Sequence, residues 1–196
     1  MKKNILLFVF DGFADWEAAY AATGITKSGQ YNLKTLALDK NPKRSMGGML
    51  VHPDLDFFPE TDLKDIDKST TAMLILPGGT SWEEGENLAI VDLVLHCVQH
   101  HIPVAAICGA TFFLADLGLL NNIGHTSNDV NYLRYVSPLY RGEDRYINRP
   151  SVRSTGIITA NGTAPIEFAK DIFVELGISD HENVSAWFHY FEKAVV

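Results

Sequence analysis

The chain has 196 residues, of which 46% are hydrophobic and 20% are charged, and its formal net charge at pH 7 is −8. This length predicts a single domain over residues 1–196. A domain of this size buries a sizeable hydrophobic core, so its stability does not require disulfide bonds. No basic run is longer than Lys2-Lys3, and no apolar stretch approaches the ~20 residues of a membrane span, so we expect neither a nucleic acid nor a membrane as partner.

Short apolar runs alternate with segments of helical composition along the chain. The predicted strands and extended pieces are Lys3–Phe10, Tyr31–Asp39, Ser45–Phe58, Thr71–Leu76, Ile102–Ile107, Ile123–Ser127 and a β-hairpin over Tyr146–Ala160. The predicted helices are Phe13–Lys27, Asn87–His101, Gly109–Leu117, Asn128–Val136, Ala164–Leu176 and Glu182–Val195. This alternation predicts an α/β fold with a mostly parallel sheet covered on both faces. Ligand sites in such sheets lie beyond the carboxyl ends of the strands.

One cysteine stands where a predicted buried strand runs directly into a helix. Cys108 follows Ile107 and precedes Gly109, an arrangement typical of a nucleophile elbow, in which small neighbours permit the sharp turn. The helix N-terminus is expected to lower the pKa of the thiol below about 8.5. The alternative is a small buried core cysteine, which is our interpretation of Cys97, on the apolar face of its helix. Two cysteines are too few for a disulfide framework, so we expect a cytoplasmic protein.

Three motifs, in order along the chain, resemble the ThiJ/PfpI family of the class I glutamine amidotransferase-like superfamily. They are Asp11-Gly12-Phe13-Ala14-Asp15-Trp16-Glu17, Leu76-Pro77-Gly78-Gly79 and Ala106-Ile107-Cys108-Gly109, and the loop over residues 159–165 also matches. The resemblance implies a flavodoxin-like three-layer sandwich and a cytoplasmic homodimer. Its members include intracellular proteases, glyoxalase and deglycase activities, isonitrile hydratases and a redox-responsive chaperone.

The resemblance also implies roles for individual residues. Cys108 matches the nucleophile, and Glu17 matches a glutamate that hydrogen-bonds the sulfur, which requires a carboxyl group that is mostly protonated. Gly79 and Gly109 match positions whose backbone N–H groups form an oxyanion hole. From the residues alone, Glu17 also fits a solvated acid at a helix start, and Pro77-Gly78-Gly79 also fits a simple tight turn.

The sequence departs from the family where many members carry a histidine. Asn128 occupies that position and can orient a substrate, but an amide cannot act as a general base. His125, three residues earlier on a predicted strand, is expected to face the opposite side. Trp16 is a second candidate for contacting the substrate, either lining an apolar pocket or packing in the core. Glutamine amidotransfer is disfavoured because His181 and Glu182 are adjacent, without the His-x-Glu spacing of such enzymes.

These observations favour a cysteine-dependent hydrolase or lyase that acts on a small carbonyl or amide substrate. The alternative is a redox sensor or stress chaperone that works through oxidation of Cys108, and a ligand-binding regulatory module ranks third. His96 and His100 have a spacing that can hold zinc, but no third ligand accompanies them. We therefore expect no metal and no cofactor.

Overall fold

The computed structural model describes residues 2–57, 63–178 and 181–192. The strands are β1 (Asn4–Phe8), β2 (Asn32–Ala37), β3 (Lys43–Arg44), β4 (Leu50–Val51), β5 (Leu55–Asp56), β6 (Thr71–Leu76), β7 (Val104–Ile107), β8 (Ser151–Ser154) and β9 (Ile157–Ala160). The α-helices are α1 (Asp15–Ser28), α2 (Val91–Gln99), α3 (Gly109–Asp116), α4 (Val130–Val136), α5 (Pro165–Leu176) and α6 (His181–Glu192). None of the described helices combines the length and apolar character needed to cross a membrane.

Seven strands form one sheet in the order β5-β2-β1-β6-β7-β9-β8, and β3 and β4 form a separate antiparallel pair. All neighbours in the large sheet are parallel except β8 and β9. The strands predicted from solid apolar runs lie in its centre because such strands are buried on both faces. The α/β fold with a mostly parallel sheet is therefore confirmed.

Helices cover both faces of the sheet. The crossover from β1 through α1 to β2 runs in one direction along the sheet, and the crossover from β6 through α2 to β7 runs in the other. Right-handed crossovers in opposite directions place their helices on opposite faces. Helix α5 packs against both α1 and α6. The result is the flavodoxin-like three-layer arrangement, and its strand order reverses between β1 and β6, where ligands bind in sheets of this kind.

The predicted strand over Ile123–Ser127 is wrong, since this segment forms only a single bridge between His125 and Tyr146. Side chains take up the hydrogen bonds that a strand partner would make. The Thr126 N–H donates to the Thr159 hydroxyl at 2.9 Å, and the Thr126 hydroxyl donates to the Arg149 carbonyl at 2.8 Å. Periodicity cannot reveal such side-chain partners, which are distant in the sequence.

Other boundaries differ by a few residues. The hairpin predicted over Tyr146–Ala160 is shorter because β8 begins after Pro150, which has no N–H to donate to a ladder. The extended pieces predicted over Ser45–Phe58 contain β4 and β5, with Phe58 outside the described residues. The last predicted helix is α6, whose predicted end at Val195 also lies outside them.

Candidate active site around Cys108

Cys108 forms a sharp turn between β7 and α3, with φ 58° and ψ −126°. A positive φ is strained for a residue that carries a Cβ atom, so the surrounding hydrogen bonds must hold this turn. The Cys108 N–H donates to the Ala160 carbonyl of β9 at 3.0 Å, and the Thr111 hydroxyl donates to the Cys108 carbonyl at 2.5 Å. The turn thus has the strand-to-helix geometry predicted for a nucleophile elbow.

Glu17 lies in the first turn of α1 and is buried, with 1% of its surface exposed. Its Oε2 atom accepts a hydrogen bond of 2.6 Å from the Gly78 N–H, and its carboxyl group also hydrogen-bonds the Cys108 side chain. Burial raises the pKa of Glu17 to about 7, against the lowering effect of these two hydrogen bonds. The reading of Glu17 as a solvated acid at a helix start is therefore wrong.

Two glycines pack closely against the Cys108 and Glu17 side chains. A Cβ atom on Gly78 would lie 2.7 Å from the Cys108 Cβ atom and 2.7 Å from Glu17 Oε2. A Cβ atom on Gly162 would lie 2.8 Å from Cys108 Sγ and 3.1 Å from Glu17 Oε1. Any larger residue at either position would displace the pair. Sequence motifs identified both loops. They did not predict how closely the two backbones approach the Cys108 and Glu17 side chains.

The expected lowering of the Cys108 pKa is not what the structure indicates. Burial raises the pKa of the thiol, and the negative charge of Glu17 raises it further. Hydrogen bonds from the Asn128 side chain and the Gly109 N–H lower it only in part. The sequence argument counted the helix N-terminus but not the burial of the sulfur beside a carboxylate. With both pKa values raised, the pair loses one proton far more readily than the second.

Asn128 contacts the sulfur directly. Its Nδ2 atom lies 3.3 Å from Cys108 Sγ, and its Oδ1 atom accepts a hydrogen bond of 2.8 Å from the Gly162 N–H. The second contact orients the amide so that its NH₂ group points to the sulfur. His125 faces elsewhere, as predicted, and is fully buried with Nε2 2.7 Å from the Tyr140 hydroxyl.

The two glycines predicted to form an oxyanion hole lie next to each other. A Cβ atom on Gly109 would lie 2.9 Å from the Gly79 carbonyl oxygen and 3.6 Å from the Gly79 nitrogen. Among the described residues, the Gly79 N–H has no hydrogen-bond partner. Gly79 has φ 156°, and a side chain there would meet the Gly12 carbonyl oxygen at 2.8 Å. Both residues line a cavity that Cys108 also lines. Their backbone N–H groups therefore form part of the wall of that cavity.

The cavity above Cys108 has a volume of about 420 Å³, within the usual range for small-molecule sites. Trp16 lines it with 47% of its surface exposed, which favours the pocket interpretation of this residue over the core one. Its lining residues are Ala14, Trp16, Glu17, Met46, Gly79, Thr80, Glu83, Cys108, Gly109, Asn128, Asp129 and Tyr132.

Sequence reasoning proposed no role for six of these lining residues: Ala14, Met46, Thr80, Glu83, Asp129 and Tyr132. Met46 reaches the cavity because the hairpin of β3 and β4 is hydrogen-bonded to the loop after β1, as in the 2.9 Å bond from the Met46 N–H to the Phe13 carbonyl. No sequence pattern at these positions distinguishes them from ordinary loop residues or, for Tyr132, from an ordinary helix residue. They come together only through the tertiary fold.

The histidine pair considered for zinc has other partners. The rings of His96 and His100 are stacked with centroids 4.0 Å apart, and His96 Nε2 lies 2.6 Å from the Ile66 carbonyl oxygen. In the described part of the chain, no group of three or more His, Cys, Asp or Glu side chains is arranged to hold a metal ion.

Comparison with known proteins identifies the family of the chain. A model of the DJ-1/PfpI family matches residues 3–175. A Bacillus subtilis (strain 168) protein named Uncharacterized protease YoaZ is 33% identical over 194 residues, which cover 95% of this chain and 89% of that protein.

Two solved structures are similar along almost the whole chain. The DJ-1 superfamily protein Atu0886 from Agrobacterium tumefaciens has a TM-score of 0.85 and 31% identity, covering 98% of this chain and 99% of that one. A thiJ/pfpI family protein from Bacillus anthracis has a TM-score of 0.86 and 32% identity, and the match covers 96% of this chain and 89% of that one. The resemblance and the fold stated from the sequence are thus confirmed.

Proposed function

This chain belongs to the DJ-1/PfpI family, and we propose that it is a cysteine-dependent hydrolase or lyase acting on a small carbonyl or amide substrate. Cys108 is the nucleophile in this proposal, and Glu17 is its proton partner. The name of the B. subtilis relative supports hydrolysis, and the cavity of about 420 Å³ supports a small-molecule substrate.

The single observation that carries the proposal is the packing of the buried Glu17 carboxyl group beside the Cys108 sulfur, since Cβ atoms on Gly78 and on Gly162 would each lie within 3.2 Å of both groups. When the pair holds one proton, that proton is either on the sulfur or on the carboxyl group. In the second form the thiolate accepts hydrogen bonds from Glu17, Asn128 and the Gly109 N–H. This form is the nucleophile, and it needs no histidine to remove the thiol proton.

The reaction begins when the sulfur attacks the carbonyl carbon and a C–S bond forms. The electron pair of the C=O bond moves to the oxygen, and the N–H groups of Gly79 and Gly109 stabilise the resulting negative charge. With an aldehyde, the oxygen takes the Glu17 proton and a hemithioacetal results. With an amide, the leaving nitrogen takes that proton, the C–N bond breaks, and water then hydrolyses the thioester. Asn128 and Trp16 orient the substrate.

A panel of small aldehydes, α-oxoaldehydes and amides tests the proposal. We expect turnover of at least one member, at least a thousandfold slower in Cys108→Ser and retained in Cys97→Ala, which alters the fully buried cysteine of α2. The rate at which iodoacetamide alkylates Cys108 is expected to rise with pH. Its first midpoint should lie near pH 7, where the pair loses its first proton. Turnover that survives in Cys108→Ser, or a single alkylation midpoint at 8.5 or above, would contradict the proposal.

A redox sensor or stress chaperone is the second candidate, and the partial exposure of Cys108 favours it. Peroxide would oxidise the thiolate to the sulfenate with release of water, and a second equivalent would give the sulfinate and a second water. Asn128 and Gly109 donate to the sulfur and would also donate to the new oxygen atoms. Mass spectrometry after mild peroxide treatment distinguishes the candidates. Stable addition of two oxygens to Cys108, with no turnover on the panel, would favour sensing.

A further inference from the structure

The acidic side chains that line the cavity have no basic counterpart in its lining. They are Glu17, Glu83 and Asp129, and the set of lining residues contains no lysine, arginine or histidine. In the described part of the chain, neither Glu83 nor Asp129 forms an ion pair. Glu83 and Asp129 are both exposed, so the cavity that leads to Cys108 carries two solvent-accessible negative charges.

The fold holds Glu83 at the entrance. The preceding residue, Trp82, is buried and packs against Phe113, and its Nε1–H donates to the Pro77 carbonyl at 2.8 Å. The Glu83 N–H donates to the Thr80 carbonyl at 3.0 Å, which fixes the turn. The Glu83 carboxyl group lies close to the hydroxyl group of Tyr132, which lines the same cavity.

Asp129 is held in a similar way by helix α4. Its Oδ1 atom accepts a hydrogen bond of 3.0 Å from the Tyr132 N–H as the helix N-cap. Trp16 adds an exposed indole ring to the same cavity. An indole face attracts cations and has no comparable attraction for anions. Carboxylates and an indole ring together make an environment that favours a cationic group.

We propose that this cavity selects substrates that carry a positively charged group, such as an ammonium group near the reacting carbonyl, and rejects carboxylates and phosphates, with Glu83 and Asp129 as the specificity-determining residues. The inference rests on the proposed function because it assigns the substrate class for the same nucleophile. A cationic group would lie near the two carboxylates and the Trp16 ring, with the carbonyl at Cys108. An anionic substrate would meet two like charges with no counter-ion in the cavity lining.

The test measures the reaction of Cys108 with three thiol reagents of the same reactive group, one cationic, one anionic and one neutral and smaller. Trimethylammonioethyl, sulfonatoethyl and methyl methanethiosulfonate each transfer their alkylthio group to a thiolate, forming a mixed disulfide and releasing methanesulfinate. Each rate constant is divided by that of a small free thiol, which removes the intrinsic reactivity of the reagent. Because labelling requires no turnover, its result is independent of which substrate the enzyme uses.

We expect the cationic reagent to react at least tenfold faster than the anionic one after this correction. Glu83→Gln and Asp129→Asn should each lower the cation-to-anion ratio roughly three- to tenfold, as removal of one nearby charge predicts, and asparagine still caps α4. The matched control is Glu84→Gln, which changes the exposed neighbour outside the cavity lining and should leave the ratio unchanged. About 0.5 M salt should reduce the preference.

Three results would overturn the inference, and one of them would also overturn the proposed function. Equal corrected rates for the cationic and anionic reagents, or a ratio that Glu83→Gln and Glu84→Gln change equally, would refute charge selection while leaving Cys108 as the nucleophile. Failure of all three reagents to label Cys108, with Cys108→Ser as the blank, would refute both the inference and the proposed function.

Discussion

Replacing Glu17 with glutamine should stabilise the protein at neutral and alkaline pH. The folded structure raises the pKa of Glu17 from 4.5 to about 7 because the side chain is buried. At about 1.4 kcal/mol for each pH unit, ionising Glu17 in the folded protein costs about 3 kcal/mol relative to the unfolded chain. Glutamine retains an acceptor for the Gly78 N–H and does not ionise, so it avoids this cost.

The sign of the effect follows from the direction of the shift. Below pH 4.5 the carboxyl group is protonated in both states, and the two proteins should differ by at most about 1 kcal/mol. Between pH 4.5 and about 7 the unfolded chain releases this proton while the folded chain keeps it, so the wild-type protein loses stability. Above about 7 the difference should remain level at roughly 3 kcal/mol in favour of Glu17→Gln.

Urea unfolding of both proteins at several pH values measures this difference directly. Groups that do not interact with Glu17 titrate alike in the two proteins and cancel when the free energies of unfolding are subtracted. Cys108 is the exception because the Glu17 charge raises its pKa, so the comparison stops at pH 8, below the ordinary pKa of a thiol. Glu84→Gln, which alters an exposed carboxyl group, is the control and should show no such trend. A difference between wild type and Glu17→Gln that stays constant from pH 4.5 to 8 would refute the argument that burial holds the proton on Glu17.

Three further substitutions test the surroundings of the sulfur. Asn128→Ala removes a hydrogen bond to Cys108 Sγ that lowers the pKa of the thiol, so less of the singly protonated pair is thiolate and alkylation at pH 7 should slow roughly three- to tenfold, with the first midpoint unchanged; an unchanged rate would contradict this contact. Gly162→Ala places a Cβ atom 2.8 Å from the sulfur, and urea unfolding should show a loss of about 1–3 kcal/mol with slower alkylation; wild-type stability and rate would contradict the close packing. Tyr140→Phe leaves His125 Nε2 without its partner and should cost about 1–3 kcal/mol while Cys108 alkylation keeps its pH profile; a shifted profile would show that His125 acts on the sulfur.

Local patterns predicted much of the scaffold and the position of the reacting atom. Apolar runs identified the central strands, and Gly29 and Gly177 end α1 and α5 in left-handed conformations, as helix-ending glycines do. Cys108 was recognised because the strand, the turn and the helix around it are contiguous in the chain. The resemblance added Glu17, which no local pattern distinguishes from a solvated acid at a helix start.

The sequence by itself determined the α/β layering, the family and the turn that carries Cys108, because these depend on contiguous residues and short periodicities. Only the tertiary structure decided the protonation of the Glu17 and Cys108 pair and the negative lining of the cavity. Glu17 meets the Gly78 N–H across 61 positions of the chain, and Asn128 meets the Gly162 N–H across 34. Desolvation and hydrogen bonding depend on which distant groups surround a side chain, and that is known only when the strands and loops have been brought together.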